Sequence, residues 1–416
     1  MQLHENKQEQ EKALLVSVDT GEFDAEASID ELEELAHTAG AVVLGKLIQR
    51  RERPEAATFV GYGKLAEIIL FCENNEVDLL IFDSELTPSQ QRNLEKLTHV
   101  RVIDRTMLIL DIFAAHARTG EGKLQVELAQ LRYALPRLMG QGQQLSRLGG
   151  GIGTRGPGET KLETDRRHIR RRIQKLEEQL QQLEKRRKML RGRREKTGVQ
   201  SVAIVGYTNA GKSTLMNALT DAGVLAQDKL FATLDPTSRA LRLPSGVSVM
   251  LIDTVGLVRR LPHHLVEAFR STLEEAAQSD IIINLCDASS EEARVHLQVT
   301  RDLLDSLGCG DTPVLTVLNK CDLLDGTLLT QDFNAYIKIS VKTGEGIDTL
   351  LQAIDDNLPV RMKRVKLLVP FAKAGVISDI RDSGTLMHEE YTADGIAAEA
   401  VVDEILYARV KDFAVE

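Results

Sequence analysis

Cysteine is scarce and scattered: four residues in 416, Cys72, Cys286, Cys309 and Cys321, with no Cys-x-x-Cys pair and no metal-ligand spacing. That excludes a disulfide scaffold or a zinc ribbon and leaves reduced thiols in a cytosolic setting as the expectation. Long apolar runs are missing too. No stretch approaches the roughly 18–20 residues that a membrane span needs, and the first 12 residues are too polar for a secretory signal. A soluble cytoplasmic protein, monomeric in solution and without a membrane span, is expected. Hydrophobic residues make up 43% and charged residues 27%, as in ordinary globular proteins, and the length calls for two to four domains.

A net charge of −10 hides an asymmetry. Residues 106–197 hold 21 Lys and Arg against 10 Asp and Glu, a balance of +11, so the rest of the chain carries −21. A basic module inside an acidic protein predicts one surface for a polyanion.

The central stretch is Gly206-Tyr207-Thr208-Asn209-Ala210-Gly211-Lys212-Ser213, followed by Thr214. It follows the apolar run Val202-Ala203-Ile204-Val205 and opens a segment carrying Leu215, Met216 and Leu219. Strand, GxxxxGK[ST] and helix in that order are the context of a phosphate-binding P-loop. Gly206 and Gly211 let backbone N–H groups turn around the β-phosphate. Lys212 reaches the β- and γ-oxygens, the Ser213 hydroxyl ligates Mg²⁺, and the helix directs its positive end at the phosphates.

Ahead of it, apolar runs at 13–18, 41–44, 78–82 and 100–103 read as strands. Helical patterns at 29–37, 64–75 and 87–97 alternate with them, and Pro88 suits a first helical position. This predicts a small parallel-sheet domain over residues 1–105. Gly61-Tyr62-Gly63-Lys64 there either holds a phosphate or is simply a loop before a helix.

From Thr106 the period changes. Met107, Leu110, Ala114 and Ala117 lead to Leu124, Leu128, Leu131, Leu135 and Leu138, with Gly120 and Gly122 weakening the helix between the two sets. A second heptad run carries Ile169, Ile173, Leu176, Leu180, Leu183 and Leu190. Two helices of about 33 residues, each about 50 Å long, are expected to zip into an antiparallel coiled hairpin over residues 106–197. Its glycine-rich tip, residues 139–162, contains Gly151-x-Gly153-x-x-Gly156, but no strand precedes it and the dinucleotide reading fails. Arg147 and Arg155, near the basic stretches 166–172 and 185–194, point to RNA contact instead, against the plainer reading of a solvated charged face.

Residues 198–358 alternate strands (247–253, 280–287, 313–319, 335–340) with helices and form the nucleotide domain. Residues 359–416 read as strand, helix and two strands, with Asp394-Gly395 as a hairpin turn and the alternation in 399–411 as half-exposed sheet.

Further segments fall in the order a GTPase needs. Phe231-Ala232-Thr233-Leu234-Asp235 provides a threonine able to ligate Mg²⁺ and sense the γ-phosphate. In Asp253-Thr254-Val255-Gly256, Asp253 holds Mg²⁺ and the Gly256 N–H meets the γ-phosphate. In Asn319-Lys320-Cys321-Asp322 the carboxylate accepts from guanine N1–H and N2–H₂, a donor pair that adenine lacks. Ser340-Val341-Lys342 supports the base from beneath. The catalytic set is thus Lys212, Thr233 and Gly256, the metal set Ser213, Thr233 and Asp253, and the substrate GTP. Leu257 follows Gly256 where a glutamine would orient water, so slow intrinsic hydrolysis is expected. The Asn209 side chain either stabilises the loop or offers a carbonyl to a potassium ion.

Three long strings add to this: residues 82–93 (FDSELTPSQQRN), 122–131 (GKLQVELAQL) and 156–165 (GPGETKLETD). Through them the chain resembles, over nearly its whole length, the HflX family of translation-factor-class GTPases. The resemblance implies a factor that binds the large ribosomal subunit, its rRNA and proteins. It implies splitting or rescue of stalled ribosomes under stress, GTP hydrolysis in response, and a tip reaching towards the peptidyl-transferase region. In that family the residue after Asp-Thr-Val-Gly is usually aromatic; Leu257 departs from this and stays apolar. Two other functions compete: a GTP-dependent adaptor holding a protein partner through the hairpin, and ATP-driven RNA remodelling by the N-terminal domain. DNA is not an expected partner.

Overall fold

The structure, a computed structural model, describes residues 10–138, 157–197, 200–220, 237–260, 276–310, 312–324, 336–359 and 362–415. The chain condenses into two compact units. The first comprises the described residues up to Leu183 together with Arg259 and Arg260, and the second the remaining ones.

The first unit is built on four parallel strands, β1 (Lys12–Asp19), β2 (Val42–Arg50), β3 (Leu79–Phe82) and β4 (Arg101–Asp104), in the order β2-β1-β3-β4. Residues 13–18 of β1 are buried without alternation, as expected for a strand covered on both faces. Helices α1 (Ala25–Thr38), α2 (Tyr62–Asn75) and α3 (Pro88–Thr98) fall between the strands. Helix α3 starts with a capping box: Thr87 Oγ1 accepts from the Gln90 N–H and the Gln90 carbonyl oxygen accepts from the Thr87 N–H, with Pro88 in the first turn.

The long first helix expected from residue 106 is two helices, α4 (Arg105–His116) and α5 (Gly120–Arg137). The break has a local cause. Ala117 leaves helical geometry, and Thr119 caps a fresh helix by accepting from the Gly122 N–H at 2.9 Å. The second helix, α6 (Pro157–Thr197), runs 41 residues, about 60 Å at 1.5 Å per residue. Leu176 on it is fully buried, and ion pairs Arg132–Glu177 (2.7 Å) and Arg172–Glu127 (2.6 Å) tie it to α5. Both pairs join residues 45 apart, the spacing of helices that run in the same direction where they touch, so these contacts do not bear out the expected antiparallel zip; residues 139–156 of the expected turn and tip lie outside the described residues.

In the second unit six strands lie in the order β10-β9-β8-β5-β7-β6: β5 (Ser201–Gly206), β6 (Thr237–Arg242), β7 (Ser248–Asp253), β8 (Ile281–Asp287), β9 (Val314–Asn319) and β10 (Ile337–Lys338). All pairs are parallel except the edge pair β6–β7. Helices α7 (Lys212–Thr220), α8 (Ala293–Ser306) and α9 (Ile347–Asn357) cover the sheet. Strand β6 has no counterpart in the sequence reading because its residues, Thr-Ser-Arg-Ala-Leu-Arg, are mostly polar and exposed, as edge strands are.

The chain ends in an antiparallel sheet, β11 (Met362–Val369), β12 (Thr385–Thr392) and β13 (Gly395–Asp403), ordered β11-β13-β12, with α10 (Gly375–Ser383) after β11. The hairpin turn falls at Ala393-Asp394, one residue ahead of the expected Asp394-Gly395, and Gly395 pairs with Thr392 as the first residue of β13. The expected sheet over 399–411 stops at Asp403. Glu404–Val410 is helix α11 instead, with Leu406 and Val410, four residues apart, both buried. An apolar run this short carries either period.

Candidate active site

The P-loop lies where β5 passes into α7, beside the carboxyl ends of β7 and β9. Open parallel sheets bind ligands at that edge. Gly211 sits at φ 93°, and a Cβ there would run into the Asn319 amide, so the close approach requires glycine. Asn209 holds φ 62°, a left-handed geometry that asparagine tolerates. Asn319 does more than its place in a base-reading motif suggests. Its Nδ2 donates to the Ala210 carbonyl at 2.9 Å and its Oδ1 accepts from the Val341 N–H at 3.1 Å. One buried side chain therefore locks the phosphate loop, the end of β9 and the 340–342 segment together.

Lys212 is buried, its Nζ donating to the carbonyls of Gly206 (3.0 Å) and Tyr207 (2.8 Å). Burial pushes its ammonium down to about 8, with the Asp253 carboxylate opposing. Ser213 Oγ donates to Asp253 Oδ2 at 2.8 Å, which brings a hydroxyl and a fully buried carboxylate together beside the loop. Mg²⁺ favours hard oxygen donors and takes few from protein, the rest coming from phosphate and water. Ser213 and Asp253 fit that demand. Among the described residues no group of three His, Cys, Asp or Glu side chains stands ready to hold a metal without such help.

The segment after β7 runs back along the phosphate loop. Thr208 N–H donates to the Leu257 carbonyl at 2.8 Å and Leu257 N–H to the Gly206 carbonyl at 3.1 Å. A Cβ on Gly256 would lie 2.6 Å from the Thr208 methyl and 3.2 Å from Lys212 Nζ, so its backbone faces the phosphate site directly. Thr254 Oγ1 donates to the Ile204 carbonyl, and Val255 is buried. Leu257 is buried in an apolar cluster with Tyr207, against which Val299, Leu303 and Leu307 pack. It offers the reaction no polar group.

Past the carboxyl end of β9, Asp322 is exposed and its Oδ1 accepts from the buried Ser340 hydroxyl at 2.7 Å, which orients the carboxylate. Lys320, at φ 63°, pairs with Asp287 at 2.7 Å, Cys321 is half-buried and Lys342 is exposed. Thus Gly206 to Thr214, Asp253 to Gly256, Asn319 to Asp322 and Ser340 to Lys342 gather along one sheet edge. Phe231, Ala232, Thr233, Leu234 and Asp235 lie outside the described residues.

Sequence reasoning missed an ion cluster in the first unit. Asp83, fully buried past β3, accepts from Ser17 (3.2 Å), Ser28 (2.8 Å), Arg105 (2.7 Å) and Arg260 (3.2 Å). Arg105 also pairs with Glu31. Arg260 additionally lies over the Phe23 ring at 3.9 Å. The cluster fills the edge between β1 and β3 where that sheet would take a ligand. The Gly61 N–H is taken by Gln49 at 2.9 Å and Lys64 by Glu67 at 2.7 Å, so residues 61–64 make a loop-to-helix junction. The signal available was Phe82-Asp83-Ser84, a string too polar for the core strand it ends.

Comparison with known proteins gives three matches along the chain. These are "GTP-binding GTPase N-terminal" over residues 26–114, "GTP-binding GTPase Middle Region" over 116–194 and "50S ribosome-binding GTPase" over 201–320. The GTPase HflX of Lacrimispora saccharolytica is 50% identical, with 99% of this chain and 98% of that one covered. The GTPase HflX of Escherichia coli is 42% identical over 86% of each. Among solved structures, a GTP-binding protein of Sulfolobus solfataricus in complex with GDP is 26% identical, with 84% of this chain and 98% of that one covered and a TM-score of 0.46. An α/β chain with a helical middle region, a P-loop at the sheet edge and curated relatives of this likeness is a GTP hydrolase, and it belongs to the HflX family of GTPases.

Proposed function

We propose that this GTPase works on the large ribosomal subunit, touching its rRNA and proteins, and splits or rescues stalled ribosomes under stress, with hydrolysis stimulated by the ribosome. The observation that carries this is the basic face of α6. Arg167, Arg170 and Arg171 are exposed on a helix of a chain whose net charge is −10. The matching family's description as ribosome-binding supports the same reading. The boundaries 1–105, 106–197, 198–358 and 359–416, a tip at 139–162, monomeric behaviour and a cytoplasmic site of action belong to this proposal.

At the nucleotide, Lys212 leaves the two loop carbonyls for the β- and γ-oxygens. The Gly256 N–H meets the γ-phosphate, Thr233 senses it, and the backbone of residues 206–214 cradles the diphosphate. Ser213 and Asp253, with Thr233, are the protein's ligands for Mg²⁺, which when bound neutralises charge on the β- and γ-phosphates. The Asn209 carbonyl adds a potassium site. Asp322 reads the guanine edge, and Asp322→Asn is expected to cost about 10²-fold or more in GTP affinity, since two charge-assisted hydrogen bonds are lost. Xanthosine triphosphate, with a carbonyl in place of the 2-amino group, should gain affinity in the same variant. Titration of both nucleotides checks this, and unchanged guanine affinity would remove Asp322 from base reading.

The ribosome reading is tested by cosedimentation with purified large subunits and a non-hydrolysable GTP analogue at two salt concentrations. Binding should fall steeply from 50 to 200 mM salt, by about 10³ if six phosphates are contacted. Absence of cosedimentation at low salt, with a soluble protein partner captured instead, would favour the adaptor.

A further inference from the structure

Strand β8 breaks its own pattern. Ile281, Ile283 and Leu285 face one core, while Ile282 and Cys286 face the other. Asn284 falls on the face of Ile282 and Cys286, where an apolar residue belongs. It is 3% exposed, and its Oδ1 has no hydrogen-bond partner. Its neighbour in register on β9 is Thr316, so two polar side chains stand side by side in an otherwise apolar layer. A buried acceptor left unmade is unfavourable by about 1–3 kcal/mol. Nothing in the guanine site uses either residue.

Asn284 and Thr316 line a cavity of about 330 Å³, away from the P-loop side chains. Tyr336, just before β10, lines it too, and α8 contributes Arg294, Gln298 and Arg301. These three lie four and three residues apart, so they share one stripe of the helix over two turns. The guanidinium-bearing positions are about 10 Å apart along the axis at 1.5 Å per residue. The other sides of α8 are committed: Thr300 and Leu304 are buried, while Val299 and Leu303 pack against the cluster of Tyr207 and Leu257.

We propose that this cavity is a second binding site, for a small phosphorylated sugar. Its phosphate lies on Arg294 and Arg301, with hydroxyl groups donating to Asn284 Oδ1 and sharing the Thr316 hydroxyl. Two guanidinium groups select an oxyanion of at least one full charge. The buried amide carbonyl, an acceptor, selects a donor on the same ligand, which inorganic phosphate alone does not carry that deep. The volume stands at the small end of ligand cavities, enough for a pentose phosphate and tight for a full dinucleotide.

The test uses the full chain saturated with GDP and Mg²⁺, so that the P-loop is filled, and titrates ribose 5-phosphate by calorimetry, with ribose and inorganic phosphate as separate probes. Ribose 5-phosphate should bind one to one, more tightly than either probe. Arg294→Ala and Arg301→Ala should each weaken it about tenfold or more, as loss of a charge-assisted bond does. Asn284→Leu should abolish the preference for ribose 5-phosphate over inorganic phosphate and leave the melting temperature equal or higher, because an unmade polar contact becomes an apolar one. No binding of ribose 5-phosphate, or binding unchanged in both arginine variants, would overturn the proposal. So would a lowered melting temperature for Asn284→Leu with the preference kept, which makes Asn284 a structural residue.

Discussion

Replacing Lys212 with alanine is expected to lower GTP turnover by at least about 10³ and to weaken triphosphate binding as well. Removing one preorganised donor from a developing phosphoryl charge costs about 10²–10³ in kcat, and this donor is charged and buried. The measurement is single-turnover hydrolysis by the full chain. Persistent turnover would point to a second nucleotide site in the N-terminal residues. The same lysine gives a pH signature. In the free protein burial holds its ammonium at about 8, below the usual 10.5. Bound phosphates favour the charged form, so it stays protonated in the complex. Affinity is therefore fully present below pH 8 and declines above it, toward tenfold per unit, with a proton taken up on binding. Titrations at pH 7 and 9 in two buffers of different ionisation heat read both effects. In Lys212→Ala the dependence should vanish.

Addition of large ribosomal subunits is expected to raise hydrolysis by as much as about 10⁵, or about 7 kcal/mol in barrier height. The reason lies in Leu257. Its side chain is buried against Val299, Leu303 and Leu307, so nothing at the position after Gly256 orients the attacking water. With no polar side chain at position 257, the free protein is expected to be slow. On the ribosome reading proposed above, the subunit supplies what is missing, as an activating partner does. Leu257→Ala removes packing, about 2–5 kcal/mol of stability at a buried site. Its cost to hydrolysis should be far smaller than that of Lys212→Ala. Single-turnover rates with and without subunits, in potassium and in sodium, decide the matter. A fast free protein that subunits leave unchanged would defeat the partner-activated mechanism, whereas equal rates in the two salts would remove only the potassium at Asn209.

The P-loop and the strand–helix alternation were legible in the sequence because each depends on local chemistry. A glycine at a left-handed φ, a lysine and serine at the start of a helix and a capping box at Thr87 act within a few residues of chain. Period-two and period-3.6 patterns likewise report burial without knowledge of the partner. What the sequence left open depends on residues far apart. That Asn319 holds Ala210 and Val341 at once follows only from the position of β9 in the sheet. That Leu257 is buried in a cluster reaching Val299, Leu303 and Leu307 follows only from the packing of α8. The buried Asp83, held by residues from Ser17 to Arg260, has no local signature at all. The helix at Glu404–Val410 was misread because a short apolar run fits either period until the neighbouring sheet fixes which side chains are buried. Local propensity determined what each segment can be; the packing of distant segments decided what Asn319, Leu257, Asp83 and Asn284 do.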